Sequence, residues 1–213
     1  MLEKKTISDY VYDKILEGIV QLTYAPGEKI SETQLAAALD VSRAPIKSAL
    51  AKLEKEGFVS IKPQYGTFVS KISVERAKSI CDIREILEVE AIRKAVVSMT
   101  EEQLDKLQDL FDQMDAFRDE KAEKRQFIYD ADVALHNEIY RASGNVIIAE
   151  IMQRYMPEIQ RIQRANITWA DRQVPTQGEM KKILKALKAR DEEQAAAAMK
   201  EHISNIRKTI QTI

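Results

Sequence analysis

Asp132 and His136 stand four residues apart in the segment YDADVALHNEIYRASGN, residues 129–145. On a helix that spacing puts a carboxylate and an imidazole on one face. Ile128, Tyr129, Leu135, Ile139 and Tyr140 share the face, so it is largely apolar. Burying an acid or an imidazole without a partner is costly. His202 lies in a later helical run beside Met199 and Ile206 and is read as facing the same interior. Two imidazoles and a carboxylate from two helices suit a divalent metal such as Zn, Ni or Mn. The same residues also admit a metal-free reading: a buried Asp132–His136 pair, with His202 satisfied by a carbonyl or a water. A metal-dependent enzyme would further need a general base or nucleophile. No residue pattern names one, so no catalytic residue is expected.

A second chemistry is written in residues 31–69, SETQLAAALDVSRAPIKSALAKLEKEGFVSIKPQYGTFV. Ser31 with Gln34 reads as a capping box for a first short helix, and Leu35, Ala36 and Leu39 as its apolar stripe. Asp40-Val41 is a tight turn. Ser42 is placed to cap the next helix by accepting from its free N–H groups, and Pro45 falls in the first turn, where its missing N–H costs least. Ile46, Leu50 and Leu53 form the buried seam, and Gly57 a left-handed stop. Phe58–Ile61 and Gly66–Val69 then read as a β-hairpin around the tip Lys62-Pro63-Gln64-Tyr65. This order is that of a winged helix-turn-helix. The second helix would enter the major groove with its N-terminal residues on bases and phosphates. The expected DNA-contacting set is Thr33, Ser42, Arg43, Ala44, Lys47 and Lys52, with Lys62, Gln64, Tyr65 and Gly66 from the wing. Lysines and arginines alone would be a solvated face; the caps, turn and wing in order carry the reading.

Charge agrees locally rather than globally. The formal net charge of the 213 residues is −1, yet Arg43, Lys47, Lys52 and Lys55 against Glu54 give residues 41–55 a net +3. A local basic patch governs phosphate contact, and the lack of a global excess argues against a nonspecific coating protein. Cys81 is the sole cysteine, so no intrachain disulfide forms. No apolar run approaches the roughly 20 residues of a membrane span. MLEKKTISDY has no apolar signal region, so a cytoplasmic location is expected and no membrane partner.

The elements that must position these groups follow from periodicity. A helix of about residues 8–22 turns Tyr12, Ile15, Leu16 and Ile19 inward, and Thr23–Gly27 is a loop. Residues 1–71 are expected as the winged domain, 72–75 as a linker and 76–213 as an all-α domain. In the last of these, six helices are expected. The first runs about 74–98, with Ile80, Ile83, Leu87 and Ala91 on one face; Thr100 and Gln103 box the start of the second; the third runs about 121–142. Asn145 caps the fourth, which contains Pro157; the fifth spans Thr176–Lys188; Asp191 caps the last, with Ala195, Met199, Ile203 and Ile206 inward. The fold class is therefore mainly α: a winged helix-turn-helix of three helices and a wing, then an antiparallel bundle of about six helices.

The string VSRAPIKSALAKLEKEGFV, with Pro26–Ile30, Ser31-Glu32 and Leu35-Ala36 before it, resembles the signature of the GntR superfamily of bacterial transcription regulators. Residues 129–145 and the ending AAAAMKEHI, 195–203, are similar to the ligand-binding domain called FCD in its FadR-type subfamily. Where this chain has Lys47 the family usually has Arg, and where it has Ala44 often Thr. Lys keeps the charge but not the planar fork, so Lys47 is assigned to phosphate and Arg43 to base reading. The resemblance implies a homodimer on a palindromic operator in double-stranded DNA and a regulator, commonly a repressor, controlled by a small effector. It also implies a metal site of one Asp and three His. Asp132, His136 and His202 match three of these, whereas Met180 stands at the fourth in GEMKKIL, with Glu179 expected to point elsewhere. A thioether suits a soft ion better than a hard one. Zn or Ni on three ligands completed by water or an effector carboxylate, or a metal-free pocket, both remain open. Arg84 matches a basic residue near the family's ligand and implies an anionic effector, typically a carboxylate. A salt bridge with Glu85 or Glu88 is its alternative. The expected effector set is Arg84, Tyr129, Asp132, His136, Met180 and His202, with Asn137, Arg141, Tyr155, Arg161 and Asn166 as further candidates. An architectural DNA-binding protein without effector is the rival reading.

Overall fold

In the computed structural model, which describes residues 5–116, 121–165 and 169–210, the chain divides into two compact units. One holds residues up to Ser73 together with 157–165; the other holds Val74–Met156 and 166 onward.

The first unit opens with α1, Ile7–Val20. Thr6 and Asp9 form a reciprocal capping box at its start. Val11, Ile15 and Ile19 are fully buried, and Tyr12 and Leu16 pack partly exposed against the same core. α2 spans Glu32–Ala38 and α3 spans Arg43–Lys55. Ser31 caps α2 by accepting from the Gln34 N–H. Ser42 has the extended backbone of an N-cap, but its hydroxyl accepts no helix N–H, contrary to the sequence reading. Pro45 explains this: it occupies the third helical position, whose N–H an N-cap side chain normally takes, and has none to give. Ile46, Ala49, Leu50 and Leu53 bury the inner face of α3 against α1.

Gly57 follows the helix end with φ +85°, and a Cβ there would meet nothing within 4 Å. Only the left-handed backbone opposes a side chain. Gly57→Ala should therefore destabilise this unit by about 1–2 kcal/mol, read as a lowered urea midpoint. An unchanged midpoint would refute the strain account. The wing is β2, Val59–Lys62, and β3, Gly66–Val69, paired antiparallel with Lys62 opposite Gly66. A two-residue strand that periodicity cannot reveal, β1 at Lys29–Ile30, adds to the other edge of β3, giving the order β1-β3-β2.

The second unit is helical throughout its described residues. It contains α4, Val74–Ser98, α5, Glu101–Ala116, α6, Lys121–Ala142, α8, Trp169–Lys188, and α9, Glu192–Thr209. α7, Val146–Ala165, continues through Pro157, where the two units divide. Three capping assignments appear as bonds: Thr100 with Gln103, Asn145 to the Ile148 N–H, and Asp191 to the Gln194 N–H. α8 begins seven residues earlier than the expected Thr176, so Pro175 lies inside it. α4 packs on α6, α8 and α9, and α6 and α9 both pack on α8. That arrangement brings the inner faces of α4, α6, α8 and α9 together. Among the described residues no helix is long and apolar enough to cross a membrane.

Candidate metal centre and nucleic-acid interface

Asp132, His136 and His202 are each no more than 2 % exposed. Each offers one donor atom, and the three atoms lie within 4.8 Å of one another. The His136 and His202 Nε2 atoms are 3.2 Å apart, and Asp132 Oδ1 lies 3.7 Å from the first and 3.3 Å from the second. A triangle with those edges has a point about 2 Å from every corner, the length of a Zn–N or Zn–O bond. The donor set thus fits a divalent transition ion without moving a side chain.

What orients the rings is a second layer that sequence reasoning missed. His136 Nδ1 lies 2.6 Å from Glu88 Oε2, an ion-pair contact. His202 Nδ1 lies 2.9 Å from Glu179 Oε2, and Asn205 donates to the other Glu179 oxygen at 2.8 Å. A carboxylate beside each Nδ1 turns both Nε2 atoms toward the same space, the orientation a metal ligand needs. Glu179 therefore does not point elsewhere. It is 6 % exposed next to the fully buried Met180, because α8 is enclosed on two sides and buries adjacent positions. Glu88 could have been found from its i,i+4 spacing to Arg84; only the fold reveals Glu179.

Arg84 is buried and donates its Nε to Glu88 Oε1 at 2.7 Å. The salt bridge that was one alternative is real. Yet Arg84 also reaches the centre, its Nη2 lying 3.4 Å from His136 Nε2. The charges explain the protonation states. Burial disfavours ionised Glu88, but Arg84 and His136 outweigh it and hold the carboxyl well below its usual range. Asp132 is lowered likewise, with His202 and His136 overcoming its burial. His136 is raised to about 9, since the Glu88 and Asp132 carboxylates overcome its desolvation. Around the centre, the ionised Glu88 and Asp132 carboxylates therefore face the Arg84 guanidinium and the His136 imidazolium. A divalent ion at the three donor atoms would take the place of the His136 Nε2 proton as the positive partner of Asp132.

The remaining expected pocket residues separate. Tyr129 is buried on α6, one turn before Asp132. Tyr155 lines a cleft between α4 and α7. Asn137 is half-buried, and Arg141 is exposed and paired with Glu138. Arg161 is buried in the other unit and donates to the Ser70 carbonyl, so it is no pocket residue. Asn166 lies outside the described residues.

On the winged unit, Thr33 at the start of α2 and Arg43 at the start of α3 are both exposed, and Arg43 Nη2 donates to Thr33 Oγ1 at 3.1 Å. The hydroxyl braces the guanidinium and leaves its other donors open. Ser42, Ala44 and Lys47 are exposed around the same helix end. Lys52 is not part of this face. Nine residues after Arg43 it lies about 180° round the helix, and its ammonium sits 4.0 Å over the Tyr12 ring. At the wing tip Tyr65 is 71 % exposed, Gln64 and Lys62 are exposed, and the Lys62 ammonium lies 5.2 Å from the Phe68 ring. Gly66 closes the turn at φ +110°.

Residues 7–69 match the family "Bacterial regulatory proteins, gntR family", and residues 79–205 match the FCD domain. The HTH-type transcriptional repressor RspR of Escherichia coli is 25 % identical over 97 % of this chain and 90 % of its own. A GntR transcriptional regulator from Rhodococcus sp. RHA1 shares the fold with a TM-score of 0.80 at 21 % identity, covering 96 % of this chain and 97 % of that one. E. coli McbR/YncC does so at 0.76 and 23 %, covering 98 % and 99 %. The chain belongs to the gntR family with an FCD domain, and it is a DNA-binding transcription regulator with an effector-binding domain rather than an enzyme.

Proposed function

We propose that the protein is a homodimeric, metal-dependent repressor whose operator affinity is set by a small carboxylate in the helical domain. Asp132, His136 and His202 would hold the ion, and Glu88 and Glu179 orient the two rings. The observation that carries this reading is the convergence of three buried donor atoms, with a carboxylate oxygen within 2.9 Å of each Nδ1. The bound ion would supply a Lewis-acidic anchor for an anionic effector. Met180 brings no hard donor, so this chain leaves more of the coordination shell to water and effector than a one-Asp, three-His set does. Elemental analysis of untagged protein, with melting before and after chelation, tests it. Stoichiometric Zn or Ni whose removal lowers the melting temperature is expected; no metal and no chelator effect would sink the metal.

On DNA, Arg43 would read bases while Lys47, Ser42 and the wing residues Lys62, Gln64 and Tyr65 hold phosphates. Two copies would place two such helices on half-sites of a palindrome about 34–36 Å apart. Ile86 and Val97, 66 % and 80 % exposed, lie on one line of α4 and favour a second copy covering it. Effector and operator would each weaken the other to the same degree. Arg43→Ala should cost about 1–3 kcal/mol at the specific site, measured by fluorescence anisotropy on the promoter region against random DNA. Equal loss on both would reduce Arg43 to a phosphate contact.

A further inference from the structure

The small sheet of the winged unit has two faces of opposite character. Directly opposed residues share a face, and successive residues of a strand alternate between faces. Ile30 stands beside Thr67 and Val59 beside Val69, and all four are buried. The other face sets Lys29 and Ser60 on either side of Phe68, and Lys62 opposite Gly66. Tyr65 N–H donates to the Lys62 carbonyl at 3.0 Å and closes the tip, with Pro63 and the left-handed Gln64 (φ +66°) at the centre of the turn. Lys29 then crosses the middle strand. The position a Gly66 Cβ would take is 2.8 Å from Lys29 Cε and 3.5 Å from its Nζ, so the missing side chain is what lets the stem lie there. Lys62 leans the other way, its ammonium 5.2 Å from the Phe68 ring. Two ammonium groups from opposite edges thus lie over β3, at positions two residues or about 7 Å apart. Among the described residues neither is ion-paired. The acids beside them are turned to backbone donors: Glu28 accepts from the Ala25 N–H at 2.7 Å, and Glu54 from the Ile61 N–H at 2.8 Å.

We propose that Lys29 is a DNA-contacting residue, which together with Lys62 straddles Gly66 and grips the phosphate backbone where the wing meets the duplex. It rests on the wing reading above and extends it to β1, a strand that precedes the helix-turn-helix and that periodicity does not reveal. A flexible stem ending in a compact, strongly hydrated charge suits a phosphate oxygen better than a base edge. The contact is therefore blind to sequence. It adds affinity and fixes register, while Arg43 carries selectivity. Gly66 serves this contact indirectly, by leaving the surface of β3 bare under the Lys29 stem.

The test is fluorescence anisotropy of the full-length protein on its promoter region and on a random duplex of the same length, between about 50 and 200 mM salt. Lys29 is exposed, so Lys29→Gln should fold. It should bind both duplexes about fivefold more weakly, and the slope of log affinity against log salt should shrink by about 0.9. Lys29→Arg should keep the wild-type slope. Lys14→Gln removes the same charge from a lysine already paired with Glu17 at 2.9 Å and should leave the slope unchanged. A wild-type slope in Lys29→Gln would overturn the contact. A loss confined to the promoter duplex would overturn the phosphate assignment and make Lys29 a base reader. An equal loss in Lys14→Gln would reduce the effect to net charge. Lys62→Gln separates this proposal from the wing reading beneath it. A slope unchanged there as well would take the wing off the DNA altogether, whereas a slope unchanged in Lys29→Gln alone removes only Lys29.

Discussion

Glu88→Gln is expected to lower the unfolding free energy by about 3–5 kcal/mol, although the two side chains have nearly the same shape. Glu88 is fully buried and stands between Arg84 Nε at 2.7 Å and His136 Nδ1 at 2.6 Å. Its carboxylate is the charge that makes a buried guanidinium tolerable and fixes the His136 tautomer. A neutral amide leaves Arg84 uncompensated in a low-dielectric interior, which is what makes breaking a buried pair so much worse than never having one. Urea unfolding followed by far-UV circular dichroism reads the loss. Two companions make the result specific. Glu90→Gln, on the same helix but half-exposed and paired with Lys94, should change stability by less than about 1 kcal/mol. The double variant Arg84→Met with Glu88→Leu should recover part of the loss, because apolar residues replace the pair, and His136 then bears the remaining cost. A single variant as stable as the wild type would mean that the Arg84–Glu88–His136 chain is not held together as described.

That chain also marks where reading the sequence stops. Asp132 and His136 could be matched because a helix repeats every 3.6 residues, and His202 because Met199 and Ile206 share its stripe. Periodicity says which way a residue faces on its own helix, and so it found the three donors. It says nothing about which residues of another helix come to meet them. Glu179 is the clear case: its neighbour Met180 occupied the inward position, so Glu179 was turned away by default. In the fold α8 is covered by α9 on one side and by α4, α5 and α6 on the other, and two consecutive residues are interior. The α8 start failed for a related reason. Pro175 reads as a breaker, but a helix supported on several sides tolerates a lost hydrogen bond that would end an isolated one. In the winged unit the caps and turns were readable because their chemistry is local. β1 was not, since two residues hold no alternation and owe their pairing wholly to β3. Lys52 was assigned by charge when its angle round α3, opposite Arg43, already excluded it.

The pH dependence of stability should flatten when the metal binds, and this is the sharpest consequence of the site. Without an ion, His136 has its pKa raised from 6.5 to about 9 by Glu88 and Asp132 against its burial. A group whose folded pKa exceeds its unfolded one stabilises fully below the unfolded value and loses that contribution as pH rises through the folded value. Chelated protein should therefore lose stability between about pH 6.5 and 9, on the order of 3 kcal/mol at 1.36 kcal/mol per pKa unit. With an ion, that loss is offset. His136 must give up its Nε2 proton to become a ligand, so metal binding releases a proton, and the apparent affinity climbs up to about tenfold per pH unit over the same window. Tighter binding to the folded state alone adds stability through mass action. The difference between the two curves isolates this site, because groups elsewhere in the chain contribute equally to both. Urea midpoints at pH 6.5, 7.5 and 8.5, with chelator and with a fixed low concentration of free Zn, should diverge steadily as pH rises. Parallel curves would show that His136 keeps its proton in both and binds no ion. Convergence at high pH would put the metal, if one is bound, on groups other than this histidine.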